Sequence, residues 1–395
     1  MRARGVSVHV RAPRRIKVAL LIATLEQAGA EKQLSLLARG LPRDEFDVDV
    51  VALTRGGFYE QSLRDAGVRV HVLGKRRKLD PRALRALRAL VLRLDPDVLH
   101  SWMFTANTYA RLGFDGRRRP AVVASERGPD GWKSAWQRWV DRLLIARTSR
   151  LVVNAPAVAQ QAVRRGFPRE RIAVVPNGLP IPEQVRHARA PDPRGSAASR
   201  LVGYVGRLAQ GKRVEDLIAA AALLRAECTD LALLLIGEGP LRGDLERLVA
   251  ELALGDVVRF VGHRADAADL MAQLDAFWLA SESEGMSNSL MEAMAAGTPV
   301  IVSDIPTNCD LVVDGVTGCV VPLGNPRAFA DATARLWRDP TRAAAMAAAA
   351  VDRIRREFGV DAMVDSYARL YRELACERPA LAARRDCAAG RGQPS

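Results

Sequence analysis

Two carboxylates eight positions apart, Glu284 and Glu292, bound the run Glu-Gly-Met-Ser-Asn-Ser-Leu-Met-Glu. The run lies between an apolar stretch, Ala276-Phe277-Trp278-Leu279-Ala280, and a helical pattern that ends at Ala296-Gly297. With Glu284 in the loop and Glu292 one turn inside the helix, a rise of 1.5 Å per residue sets the two carboxylates about 10 Å apart. That is the span of a nucleotide sugar from hexose to ribose, and a carboxylate accepts two hydrogen bonds from a vicinal diol. Between them, Gly285, Met286, Ser287, Asn288 and Ser289 make up the stretch that would hold the rest of such a ligand. Its small residues leave backbone N–H groups at the positive end of the helix dipole, where a phosphate is favoured.

A second pair is cationic. Arg207 and Lys212 follow the apolar run 201–205, and ligands of open α/β sheets sit outside the carboxyl ends of strands. Two fixed cations there stabilise a diphosphate that gains charge as a sugar departs. The Asp-x-Asp pairs Asp47/Asp49 and Asp95/Asp97 enter apolar strands, so strand alternation accounts for them without a metal. No His/Cys/carboxylate cluster with metal-ligand spacing appears, and the expectation is chemistry with no metal and no cofactor.

Such residues need strands and helices to place them, and the chain is long enough for two α/β domains at 395 residues. Its 49% hydrophobic content with 5% aromatics suits parallel sheets covered by Ala-rich helices. Short apolar runs at 16–22, 47–53, 68–72, 97–99, 120–124, 150–153 and 171–175 alternate with helical patterns. A Pro-rich polar stretch at 181–200 reads as a linker. A second series follows at 201–205, 231–236, 257–261, 276–280, 299–303 and 319–321, with Leu241, Leu245, Leu248 and Leu252 as a buried helical stripe. The expected organisation is a first Rossmann-like domain over 16–180, the linker, a second over 201–360, a helix over 361–376 and a disordered tail over 377–395.

The net charge of +14 is unevenly spread: residues 1–200 carry 38 Lys and Arg against 18 Asp and Glu, whereas 201–360 carry 15 against 22. A basic half joined to an acidic half fits an anionic membrane surface or an anionic acceptor better than nucleic acid. Five cysteines without C-x-x-C spacing read as reduced thiols. Residues 1–15 lack the apolar core of a signal peptide, and no run approaches a membrane span. The chain is therefore expected to be cytoplasmic, with peripheral attachment to the inner face of a membrane left open.

Two Rossmann-like domains, a proline-rich hinge and the E-x7-E element together resemble the retaining GT-B glycosyltransferases of family four, over about residues 16–375. Four elements occur in that family's order: Gly206-Arg207-Leu208 with Gly211-Lys212, Gly237-Glu238-Gly239-Pro240, Phe260-Val261-Gly262, and Ser283-Glu284 through Glu292 to Pro299. The resemblance implies two doubly wound domains facing a cleft, a last helix returning to the first domain, and retaining transfer of a sugar from a nucleotide-diphosphate donor to a hydroxyl acceptor. The basic first half suits a polysaccharide or a lipid-linked intermediate as acceptor, and the sequence does not choose between them. The resemblance assigns Arg207, Lys212 and Glu284 to catalysis, with Glu284 on the transferred sugar, Glu292 on the ribose, and Gly29, Gly206 and His263 around the donor. Gln27-Ala28-Gly29-Ala30-Glu31 departs from the family's Gly-Gly-Ala-Glu at Ala28.

His100, Glu126, Arg127 and Asn177 are the candidates for the acceptor side and the cleft. His100 ends a strand and titrates in the range a general base needs, but Trp102 stands where many relatives place a second histidine. Ser125-Glu126-Arg127 replaces a later histidine of the family, and Pro176-Asn177-Gly178 is also a plain turn signal. The stretch from Lys75 to Leu94 forms a basic amphipathic helix that suits anionic lipid or a solvated face packed on a sheet, and Trp132, Trp136 and Trp139, four and three residues apart, suit a membrane interface, an acceptor wall or buried packing. Two other classes compete. An oxidoreductase lacks its G-x-G-x-x-G after Ile22, and a basic membrane- or nucleic-acid-binding protein without catalysis conflicts with the acidic second half and the E-x7-E element.

Overall fold

The computed structural model describes residues 14–116, 120–128, 131, 133–181, 200–264 and 266–389, with side chains as far as 377. Trp132 and nearly all of the expected linker lie outside the described residues. In the first half, strands and helices alternate as β1 (Ile16–Ile22), α1 (Gly29–Gly40), β2 (Phe46–Ala52), α2 (Glu60–Asp65), β3 (Arg69–Val72), α3 (Pro81–Leu94), β4 (Val98–Trp102), α4 (Met103–Gly113), β5 (Ala121–Glu126), α5 (Ala135–Leu143), β6 (Arg150–Val153), α6 (Pro156–Arg164) and β7 (Ile172–Val174). They form a seven-stranded sheet of order β3-β2-β1-β4-β5-β6-β7, in which β1 pairs in parallel with both β2 and β4. The last five residues of β1 are buried because a parallel sheet is covered on both faces, which is why its strands read as continuous apolar runs.

The second series runs β8 (Arg200–Val205), α7 (Val214–Arg225), β9 (Leu231–Ile236), α8 (Arg242–Glu251), β10 (Val258–Gly262), α9 (Ala267–Met271), β11 (Ala276–Leu279), α10 (Asn288–Ala295), β12 (Val300–Ser303), α11 (Pro306–Leu311), β13 (Cys319–Val321), α12 (Pro326–Arg338), α13 (Pro340–Glu357) and α14 (Val360–Ala389). Its six-stranded parallel sheet has the order β10-β9-β8-β11-β12-β13. The chain groups into two compact units: one holds the described residues up to Ser125, Leu143–Arg150 and those from Val364 on; the other holds Glu126–Arg142 and Leu151–Met363.

Three helices show how the sequence pattern was spent. The basic helix α3 is capped by Asp80, whose carboxylate accepts from the N–H groups of Arg82 and Ala83, and Pro81 stands at its first position. Its stripe of Ala83, Leu87, Leu90 and Val91 is buried in the core, so its arginines form an ordinary outer face. In α8 the expected leucine stripe is only partly realised: Leu245 and Val249 are buried, but Leu252 ends the helix and is 41% exposed. In α14, Met363, Tyr367, Leu370, Tyr371 and Leu374 are all buried at helical spacing. That helix continues to Ala389, through the Ala- and Arg-rich stretch expected to be a disordered tail.

Candidate functional site

In the second sheet the strand order reverses between β8 and β11, and such a switch point opens a crevice beyond the strands' carboxyl ends. The loops that border it carry Gly206 to Arg213 and Ser281 to Ser287. A backbone hydrogen bond joins them, Glu282 N–H donating to the Gly211 carbonyl at 3.0 Å. Across this junction Lys212 Nζ donates to Glu284 Oε1 at 2.5 Å, and Ser281 Oγ donates to the same oxygen at 2.7 Å. Both charges keep solvent contact, with 28% of the Lys212 side chain and 12% of the Glu284 side chain exposed. The predicted catalytic cation and the predicted sugar-binding carboxylate thus meet at one point.

Bare backbone sets how tightly these loops fit. Gly206 wraps Tyr204: a Cβ there would lie 2.6 Å from the tyrosine oxygen. The buried Tyr204 hydroxyl donates to the Arg207 carbonyl at 3.1 Å, and burial, reinforced by the nearby Glu284 charge, pushes its ionisation far upward. Tyr204 therefore stays protonated and fixes the turn that carries Arg207. Gly237, at φ 139°, and Gly239 bring the loop after β9 against the Gly206 and Leu208 carbonyls. These glycines close the strand-to-helix turn between β9 and α8, and they also seat the Arg207 loop.

Beyond Glu284 the chain enters α10 through Gly285 and Met286, with Ser287 as the N-cap. Its Oγ accepts from the Leu290 N–H at 3.3 Å and lies 3.2 Å from Ser289 Oγ. The first amides of the helix lack intrahelical partners and carry its positive end. Glu292 is half-buried one turn further on. Gly285 lies flat on the Arg127–Gly128 backbone, where a Cβ would come within 1.8 Å of the Arg127 carbonyl oxygen. Beside it the buried Asn177 engages both ends of its side-chain amide: its Nδ2 donates to the Met286 carbonyl at 3.1 Å and to Asn288 Oδ1 at 2.9 Å, its Oδ1 accepts from Arg127 Nη1 at 3.1 Å, and its backbone N–H donates to Met286 Sδ at 3.2 Å. Arg127, Asn177, Gly285, Met286, Ser287 and Asn288 therefore form one connected cluster.

The remaining candidates stand apart from it. Arg207 is exposed, and among the described residues its guanidinium makes no ion pair. His263 is exposed on the loop after β10, next to Gly262, whose carbonyl accepts from the Gly237 N–H. Gly29 begins α1 in the first unit. Close by, Thr24 Oγ1 donates to Glu31, whose carboxyl is raised above its ordinary value chiefly by burial.

Two candidates for the acceptor side are corrected. His100 is fully buried, with Nδ1 2.6 Å from the Tyr371 hydroxyl and Nε2 2.7 Å from Ser125 Oγ. Its ring also packs against Trp102 and Tyr367. With both nitrogens held and no solvent contact, it ties β4 to β5 and α14 instead of serving as an exposed base. Glu126 is likewise enclosed, by Arg165 at 2.5 Å and Lys133 at 3.1 Å, while Lys133 also binds Asp141 at 2.7 Å. Burial works to raise its carboxyl, but Arg165 and Lys133 outweigh burial and hold it below the usual range. Glu126 serves a neutral, buried network of two acids and two bases. Arg127 alone of that loop turns toward the α10 entry.

The paired aspartates have protein partners: Asp47 and Asp49 both bind Arg69, Asp49 also binds His71, and Asp97 accepts from the Lys17 N–H. Among the described residues no group of three or more His, Cys, Asp or Glu could hold a metal ion. Sequence reasoning missed Tyr204 and Ser281, whose partners Arg207 and Glu284 are three positions on, and Lys133 and Arg165, which meet at Glu126. It also missed Met103, held at φ 69° where β4 passes into α4.

Two family models match: the one described as Glycosyl transferases group 1 over residues 199–339, and the one described as Glycosyltransferase Family 4 over residues 28–181. The chain is 30% identical over 288 residues to the glycogen synthase of Mycobacterium tuberculosis, covering 70% of this chain and 68% of that one. It is 29% identical over 225 residues to the lipopolysaccharide core biosynthesis glycosyltransferase LpsE of Rhizobium meliloti, covering 56% and 64%. The chain spans between half and two thirds of the length of the first relatives it matches. In fold it superposes on Anabaena HepE, solved in complex with UDP-glucose, with a TM-score of 0.79 over 91% of this chain and 100% of that one at 22% identity. Two parallel-sheet Rossmann-like domains in GT-B form, matched along both halves, make this chain a member of the group 1, family 4 glycosyltransferases.

Proposed function

We propose that this chain transfers a sugar from a nucleotide-diphosphate sugar to a hydroxyl acceptor with retention of configuration and without a metal. The observation that carries the reading is the meeting of Lys212 and Glu284 at the β8/β11 switch point, beside the N-terminus of α10. A diphosphate there faces Lys212, Arg207 and the amides of α10, and a hexose in contact with it reaches Glu284. Glu292, within α10, is left for the ribose. The bond from the anomeric carbon to the leaving phosphate oxygen breaks as the acceptor oxygen bonds the same carbon on the same face, and the acceptor proton passes to that phosphate oxygen. Two cations and a helix terminus take the charge a divalent ion would otherwise neutralise.

The likeness to HepE, solved with UDP-glucose, and to the lipopolysaccharide core transferase LpsE favours a UDP-sugar donor and a glycoconjugate or polysaccharide product. No helix of the described residues is long and apolar enough to cross a membrane. A thermal-shift panel of UDP-, GDP-, ADP- and TDP-sugars ranks the donors, because stabilisation grows with ligand affinity. The winning donor is then used with EDTA present, and the anomeric configuration of the product is read by NMR. No shift with any nucleotide sugar refutes the donor site; an inverted product or loss of rate with EDTA refutes the finer reading.

A further inference from the structure

A surface helix of a globular protein sets its apolar stripe against the core. Helix α5 does the reverse. Trp136 and Trp139 are 54% and 59% exposed, and Leu143, on the same face at helical spacing, is 59% exposed. The side turned inward carries Asp141, locked to Lys133, which in turn binds Glu126 beside Arg165. This polar anchoring holds the indoles outward. Arg138 and Arg142 are exposed on the flank of the apolar face.

We infer that the Trp136/Trp139 face of α5 is a docking surface for an anionic lipid bilayer; the inference rests on the reading of the chain as a glycosyltransferase, whose lipid-linked acceptor such a surface would bring within reach. Indole rings favour the bilayer interface, and flanking arginines suit acidic headgroups. The charge of the chain points the same way, since residues 1–200 carry the large basic excess. A second copy of the chain is the poorer occupant, because a twofold contact through this face brings Arg138 and Arg142 near their own copies.

The test compares wild type with the double variant Trp136→Ser/Trp139→Ser by co-sedimentation with vesicles of phosphatidylcholine containing phosphatidylglycerol, and of phosphatidylcholine alone. Wild type is expected to bind the anionic vesicles and the double variant to bind them about tenfold more weakly or worse. Both indoles are exposed, so the melting temperature and its rise with UDP should stay unchanged. Arg142→Glu supplies an independent check, weakening binding to the anionic vesicles only. Equal vesicle binding by wild type and both variants overturns the inference. So does self-association of wild type that the tryptophan substitutions abolish, seen by sedimentation velocity without vesicle binding. A wild type that binds vesicles through this face but shows no thermal response to nucleotide sugars leaves the surface standing and removes the donor site.

Discussion

Replacing Gly285 by alanine tests the site where the spacing is tightest. The added Cβ falls 1.8 Å from the Arg127 carbonyl oxygen, 2.5 Å from its carbon and 2.9 Å from Gly128 Cα. All three are backbone atoms, so no side chain can swing aside. Ordinary contact begins near 3.4 Å, and the two segments must therefore separate by about 1.6 Å. Overpacking of this kind costs about 1–3 kcal/mol. The functional cost should be larger, because the displaced segment carries Glu284 on one side and the start of α10 on the other, and a misplacement of about 1 Å lowers turnover roughly 100-fold. The assay is release of the nucleotide diphosphate from the best donor, followed together with the melting temperature. The control is Gly243→Ala, on a helix surface where a Cβ meets nothing within 4 Å and where alanine should stabilise by about 0.5–1 kcal/mol. If Gly285→Ala keeps the wild-type rate and melting temperature, the packing of Arg127–Gly128 on Gly285 does not position the site.

Three further outcomes follow from the same geometry. Lys212→Ala should cut turnover by about 100- to 1000-fold while barely moving the melting temperature, since its role is charge at the leaving group; steady-state rates and a melting curve decide it, and an unchanged rate contradicts the assignment. Asn177→Ala strands Arg127, Asn288 and the Met286 carbonyl at a buried position and should cost about 1–3 kcal/mol in urea unfolding, with loss of turnover. Glu126→Gln should destabilise at pH 7 by about 3–5 kcal/mol, because Lys133 and Arg165 lose a charged partner. A carboxyl held below its ordinary 4.5 stabilises above that pH and loses the contribution as pH falls through its lower folded-state value. The gap between wild type and Glu126→Gln in urea midpoints should therefore narrow below about pH 4.5; a gap independent of pH contradicts the network.

The strands were legible because both sheets are parallel and their buried runs are nearly continuous, as in Leu231–Ile236, where all six residues are buried. Lys212 and Glu284 were legible because each belongs to a short motif at a strand end, where its neighbours in sequence largely set its position. His100 and Glu126 also end strands, yet what covers them decides their role. For His100 the cover is Tyr371, 271 positions away; for Glu126 it is Arg165, 39 positions away. Local spacing carries no trace of either. Asn177 was legible only as a cleft candidate on a turn signal, because the groups it binds lie 109 and 111 positions further on.

The glycines add a distinction the sequence does not make. A glycine beside a phosphate-binding stretch is naturally read as room for the ligand. At Gly285 the space a side chain would fill is already taken by the Arg127 carbonyl, and at Gly237 and Gly239 by the carbonyls of Gly206 and Leu208, within about 2 Å in each case. What these positions leave out of the protein is thus used by the protein. Their bare backbones set the distances among the loops after β8, β9 and β11 and the Arg127 segment, and those distances place Lys212 on Glu284. Any phosphate contact at Gly285 must then come through its N–H and not through an empty face, so an alanine there acts on loop spacing before it acts on ligand volume.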